Sequence, residues 1–109
     1  MYLPHEFSGL FIYSAPVDCR MGHNKLTGLV VEQLNRDPID KGIFLFVSRN
    51  RKTAKVLFWD GSGMVILHKK MEKGKIMEFS RSHKMIESEI SDLRLLLGGG
   101  HIVYDLRLK

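Results

Sequence analysis

A hairpin in the middle of the chain sets the tightest limit on its fold. Asp60-Gly61-Ser62-Gly63 stands between two runs, 54–60 and 64–70, that are rich in β-branched and aromatic side chains. Glycine supplies the positive φ that tight connections between antiparallel strands need, so the two runs read as sheet neighbours. Another such run, 43–48, precedes them across the polar connection Arg49-Asn50-Arg51-Lys52-Thr53. The turn residues Glu72-Lys73-Gly74-Lys75 lead on to a weaker run over 76–79. The spacing predicts an antiparallel β-meander of four strands.

The flanks add helices. Residues 9–13 read as a short strand, followed by a turn marked by Pro16, Asp18 and Gly22. Over 25–35, Leu26, Val30 and Leu34 repeat at i+4 and predict an amphipathic helix. Asn24 is its expected N-cap and Asp37-Pro38 its stop, because the residue before proline is pushed out of the α region. Gly28 inside it suggests close packing. Ile86, Ile90, Leu93 and Leu97 predict a second helix over 84–97, ended by Gly98-Gly99-Gly100. The tail, 101–109, alternates apolar and polar residues, as a last strand or a partner-pairing segment would. The expected fold is one α+β domain over 1–109: a mostly antiparallel meander of four to five strands with two helices packed on one face.

Little in the residue types suggests catalysis. A single cysteine, Cys19, builds no disulfide framework and is expected to be a small buried thiol. His23 follows it by four positions, but nothing marks a third group to orient such a pair. His5, His23, His68, His83 and His101 show no metal-ligand spacing. The acids of the basic segment, Asp60, Glu72 and Glu78, fall in turns and on a strand and do not converge as a nuclease site requires. A hydrolase using Asp18, His23 and Asp60 is the weakest reading. The glycine runs lack the strand–loop–helix setting of a phosphate loop. No enzyme activity, metal or cofactor is expected. The apolar runs fall well short of the roughly 18 residues of a membrane span. Met1-Tyr2-Leu3-Pro4-His5-Glu6 carries neither a basic nor an apolar leader region, so a cytoplasmic location is expected.

The charge is informative. The chain carries a net +5, yet residues 41–84 hold eleven Lys/Arg against Asp60, Glu72 and Glu78. The basic excess therefore lies wholly in the meander, where it would attract phosphate backbones. In an up-and-down meander alternate connections share an end. Arg49, Arg51 and Lys52 should then lie beside Lys69, Lys70, Lys73 and Lys75, with Lys55 nearby, as a basic ridge for nucleic acid. Phe58 and Trp59 point to opposite faces of their strand, so one of them is a candidate partner-docking aromatic. The second predicted helix carries Lys84 and Arg94 among Glu87, Glu89 and Asp92, which is not a base-reading helix.

These residues also carry a family resemblance. Asp18-Cys19-Arg20-Met21-Gly22 followed by Leu26, then Asp37-Pro38, Gly42, Phe44 and Phe46, the stretch from Lys55 through Trp59-Asp60-Gly61-Ser62-Gly63, and Lys69-Lys70-Met71-Glu72-Lys73-Gly74 occur in order. Over about residues 9–98 the chain resembles the TnpB-type accessory protein encoded by the second open reading frame of insertion-sequence family 66. Cys19 stands where that family usually has methionine, and Lys70 and Lys73 where arginine is frequent, so forked phosphate recognition is not expected at those two lysines. The resemblance implies a non-catalytic accessory protein of transposition in a bacterial mobile element. Its expected partners are DNA and the transposase of the same element, either by direct DNA contact or as an adaptor without it. The motif residues carry no catalytic roles from the family; physically, Asp18 and Arg20 read as capping or pairing in the loop before the first helix, Gly22, Gly61 and Gly63 as turn positions, and Asp60 as bonding its own turn backbone.

Overall fold

The computed structural model describes residues 7–104. Strand β1 (Gly9–Tyr13) leads into helix α1 (His23–Glu32), and β2 (Gly42–Val47), β3 (Thr53–Trp59) and β4 (Met64–Lys70) follow. A short strand β5 (Met85–Ser88) and helix α2 (Ser91–Leu97) close the described chain. The sheet order is β4-β3-β2-β1-β5. The meander β2-β3-β4 is antiparallel, as its turns require, with Phe44 opposite Leu57 and Trp59 opposite Met64. The β1–β2 pair is parallel, because α1 carries the chain back to the starting end. The fold is α+β, with a mixed sheet.

Strand alternation sends one set of side chains to each face, and both faces are covered. Phe11, Phe44, Phe46 and Leu57 lie under Leu26, Val30 and Leu34 of the α1 region. On the opposite face, Leu10, Ile12, Leu45, Val56 and Phe58 pack with Ile76, Met77, Phe79, Leu96 and Ile102. The helices therefore sit on opposite faces and do not share one. A sheet with a parallel crossover and apolar residues at successive β2 positions needs cover on both sides.

Three expected elements differ. Residues 85–88 form a strand paired with β1, where a helix was expected, and α2 begins only at Ser91. Without β5, the fully buried Leu10 and Ile12 would lie on a bare edge strand, and that pairing outweighs the local helical period. Ile76, Met77 and Phe79 are buried and Glu78 is exposed, but residues 76–79 form no strand. Strands β4 and β5 lie at opposite edges of the sheet, so the chain between them must cross a face and cannot run along an edge. Residues 101–104 are not a strand either: the Ile102 amide donates to Met77 Sδ at 3.3 Å, and the Ser80 amide donates to Tyr104 Oη at 2.7 Å. The remainder of the expected tail strand lies outside the described residues.

Helix α1 also starts and ends differently. Its N-cap is Gly22, with no side-chain cap bond, and Asn24 lies inside the first turn. It stops at Glu32 with Gln33 as its C-cap, well before Asp37-Pro38, and the chain turns away at Asn35, which takes φ 56° while the Arg36 amide donates to the Val30 carbonyl. Asparagine tolerates this left-handed position better than most residues. A side chain at Gly28 would meet nothing within 4 Å, so that glycine serves no close packing.

Candidate nucleic-acid interface

The β2–β3 connection is built by its own short polar side chains. Ser48 Oγ donates to Asn50 Oδ1 (2.8 Å), which also accepts the Lys52 amide (3.0 Å), while the Arg51 amide donates to the Ser48 carbonyl (2.9 Å). The tight closure puts Arg51 at φ 61°, left-handed for a non-glycine residue. The segment after β4 is joined to this loop. The Met71 amide donates to the Lys52 carbonyl (2.6 Å), and the Ile76 amide donates to the Arg51 carbonyl (2.8 Å). Both Met71 and Ile76 are buried, so the turn 72–75, with Gly74 at φ 71°, is held at both ends.

Arg49, Arg51 and Lys52 thus lie at the same end of the sheet as Lys70, Lys73 and Lys75, as the meander argument anticipated. Lys70 pairs with Thr53, and Lys69 with Ala54, at the last rungs of β3–β4. Lys69 and Lys70 project to opposite faces, Lys69 toward Leu93 and Leu97 of α2. The one ion pair among the described residues is Arg20–Asp18, so none of the ridge cations is ion-paired there.

Other anticipated residues are engaged locally. Lys55 faces α1, and its ammonium donates to the Met21 carbonyl at 2.6 Å, holding the loop that precedes the helix. In that loop Asp18 accepts from the Arg20 amide (2.8 Å), Nε (3.0 Å) and Nη2 (2.7 Å). The Arg20 hydrogen bonds hold the Asp18 carboxyl far below the usual carboxylate range. Gly22 is extended, and only Gly61 of the three motif glycines needs a positive φ, at 103°. Asp60 Oδ1 accepts the Ser62 and Gly63 amides, both at 3.0 Å, which lowers its pKa and closes the hairpin.

Several expectations need correction. Phe58 is 2% exposed, edge-on to Phe7 at 5.6 Å, so its ring is a core group and not a docking group, whereas Trp59 is half-buried on the other face. Cys19 is exposed, not buried, because the loop turns it away from both cores. Asp18 follows the Val17–Ser48 bridge, at the sheet end opposite the Asp60 turn, so the two carboxylates do not converge. No group of three His, Cys, Asp or Glu among the described residues is placed to hold a metal ion.

Sequence reasoning missed Arg81 as a site residue. It lines a cleft with Ser14, Ser48, Arg49, Arg51 and Glu78. It was counted in the basic segment, but its position depends on where the irregular crossing segment runs. Among the described residues no helix is long and apolar enough to cross a membrane.

The family model described as IS66 Orf2 like protein matches residues 8–104, which takes in the first part of the tail. Two proteins of Sinorhizobium fredii are similar. Uncharacterized protein y4jC is 37% identical over 68 residues, covering 62% of this chain and 58% of that protein. Uncharacterized protein y4hO is 29% identical over 90 residues, covering 83% of this chain and 78% of that one. The chain thus spans under two thirds of the first of these relatives. No solved structure matches the chain.

Proposed function

The chain belongs to the IS66 Orf2-like family, whose role is accessory to transposition, and on that premise we propose that it binds transposon DNA, or the transposase–DNA complex, through the basic ridge. The observation that supports this reading is the joining of two lysine- and arginine-bearing connections by the Met71–Lys52 and Ile76–Arg51 backbone bonds. A rigid cluster of cations with no carboxylate partner among the described residues suits phosphate-backbone contact, which positions a protein without reading sequence. The protein supplies no catalytic group; the transposase performs the chemistry.

Fluorescence anisotropy with duplex DNA at several salt concentrations tests this. Neutralising about five phosphates predicts a slope of log K against log salt near −4.5. Undetectable binding at low salt overturns it. One observation favours an adaptor as the alternative: among the described residues β4 pairs only with β3, which leaves its other edge for strand addition by the transposase. Charge reversal at Arg49 and Lys52 abolishes binding in the first reading and spares transposase capture in the second.

A further inference from the structure

Three arginines that are dispersed in sequence line one cleft. Arg49 and Arg51 come from the β2–β3 loop, and Arg81 comes from the segment that crosses the opposite face. The cleft opens at the carboxyl ends of β1 and β2, the two parallel neighbours, where residues 14–16 and 47–49 leave the sheet. In open α/β sheets the crevice outside the carboxyl ends of parallel strands seats ligands, and the β1–β2 pair is the parallel part of this sheet. Val47, Met77 and Phe79, each under 9% exposed, contribute apolar walls. An apolar wall lowers the local dielectric and strengthens any anion contact beside it. Among the described residues, Glu78 is the only carboxylate in the lining.

The arrangement is fixed from two sides. Arg51 keeps its left-handed backbone because its carbonyl accepts the Ile76 amide, and its Nη1 reaches the Ile76 carbonyl at 3.4 Å. A residue held in a sparsely populated conformation beside a cleft marks a place where the surroundings over-determine its position. Ser14 Oγ donates to the His83 carbonyl, which ties the end of β1 to the segment bearing Arg81. Neither Arg49 nor Arg81 has a carboxylate partner among the described residues.

We propose that this cleft is a seat for a single phosphoryl group, with Arg49 and Arg81 as its arms and Arg51 as its fixed base. Forked guanidinium donors from separate segments suit the several oxygens of a phosphoryl group. The seat deepens the ridge reading, and its assignment to nucleic acid rests on that reading: the phosphoryl group is one phosphate of the DNA backbone, and the lysines of the 72–75 turn extend the track away from it. The shared chemistry would also admit free phosphate.

Two measurements test the seat. In the first, amide NMR of the full chain is followed while inorganic phosphate is added. Saturable shifts at Ser14, Ser48, Arg49 and Arg81, lost in Arg81→Gln, support it; absence of shifts overturns a free-phosphate seat. In the second, duplex-DNA anisotropy compares wild type, Arg81→Gln and Glu78→Gln. Arg81→Gln should weaken binding several-fold and reduce the salt slope by about one, and Glu78→Gln should tighten binding. If DNA binds but Arg81→Gln changes neither affinity nor slope, the backbone seat is overturned and the ridge survives. If phosphate shifts these amides while DNA does not bind, the ridge reading fails and the seat stands for free phosphate. Both side chains are exposed and make no hydrogen bond among the described residues, so neither variant threatens folding.

Discussion

The Met71 amide donates to the Lys52 carbonyl at 2.6 Å, and this bond fixes the turn after β4 against the loop before β3. It turns two basic connections, some twenty residues apart in sequence, into one surface. The consequences can be checked position by position.

Ile76 is fully buried and is the second anchor of that turn. Ile76→Ala should cost about 2–5 kcal/mol in urea unfolding, from lost burial plus a residual cavity. Because the 72–75 turn loses its seat, DNA affinity should fall as well, even under conditions where the variant stays folded.

Lys73 and Lys75 are exposed and without a carboxylate partner among the described residues. The double reversal Lys73→Glu, Lys75→Glu should leave the urea midpoint nearly unchanged while the salt slope of DNA binding becomes shallower by about two. An unchanged slope would remove the turn from the interface.

Lys55 behaves differently. Lys55→Met strands the Met21 carbonyl and should destabilise the fold by about 1–2 kcal/mol. If its role is to hold the loop, the salt slope of DNA binding should stay as in wild type. A drop of about one would make Lys55 a phosphate contact.

Gly42→Ala tests why a glycine opens β2. An added Cβ would lie 2.9 Å from Phe11 Cε2 and 3.1 Å from Phe44 Cζ, in a stacked pair whose ring centroids are 5.6 Å apart. Neither ring has free space, since both are buried, and the overpacking should cost about 1–3 kcal/mol by urea unfolding.

The Asp60 carboxyl is depressed mainly by the Ser62 amide, with the Gly63 amide adding to it. A depressed folded-state pKa means that its contribution is fully present above the unfolded value, about 3.9, and is lost as pH falls through the folded value. In Asp60→Asn this acid-dependent part should vanish. The melting temperatures of wild type and variant should therefore converge as pH drops below about 4. Parallel curves at all pH values would show that the turn does not depend on the carboxylate charge.

Much of this was legible from local pattern. The Asp60-Gly61 turn, the bounds of β4 and the burial of Leu26, Val30 and Leu34 follow from turn chemistry and period, which neighbouring residues determine among themselves. The meeting of the β2–β3 loop with the Lys70–Lys75 region also followed, because alternate connections of a meander share an end by geometry. The second helix was less legible: Ile86 and Ile90 suit a helical stripe, and 85–88 suit a strand equally well once β1 offers its edge.

By itself, then, the sequence determined the hairpins, the first helix, the sign and segment of the charge, and the family motif, all of which rest on short-range sterics and composition. Only the tertiary structure decided that the helices take opposite faces, that residues 76–81 cross the sheet as irregular chain, and that Arg81 reaches Arg49 and Arg51. Those outcomes depend on which strand edge is left unpaired and which apolar face is left uncovered. These are properties of the assembled sheet, and no local window of residues contains them.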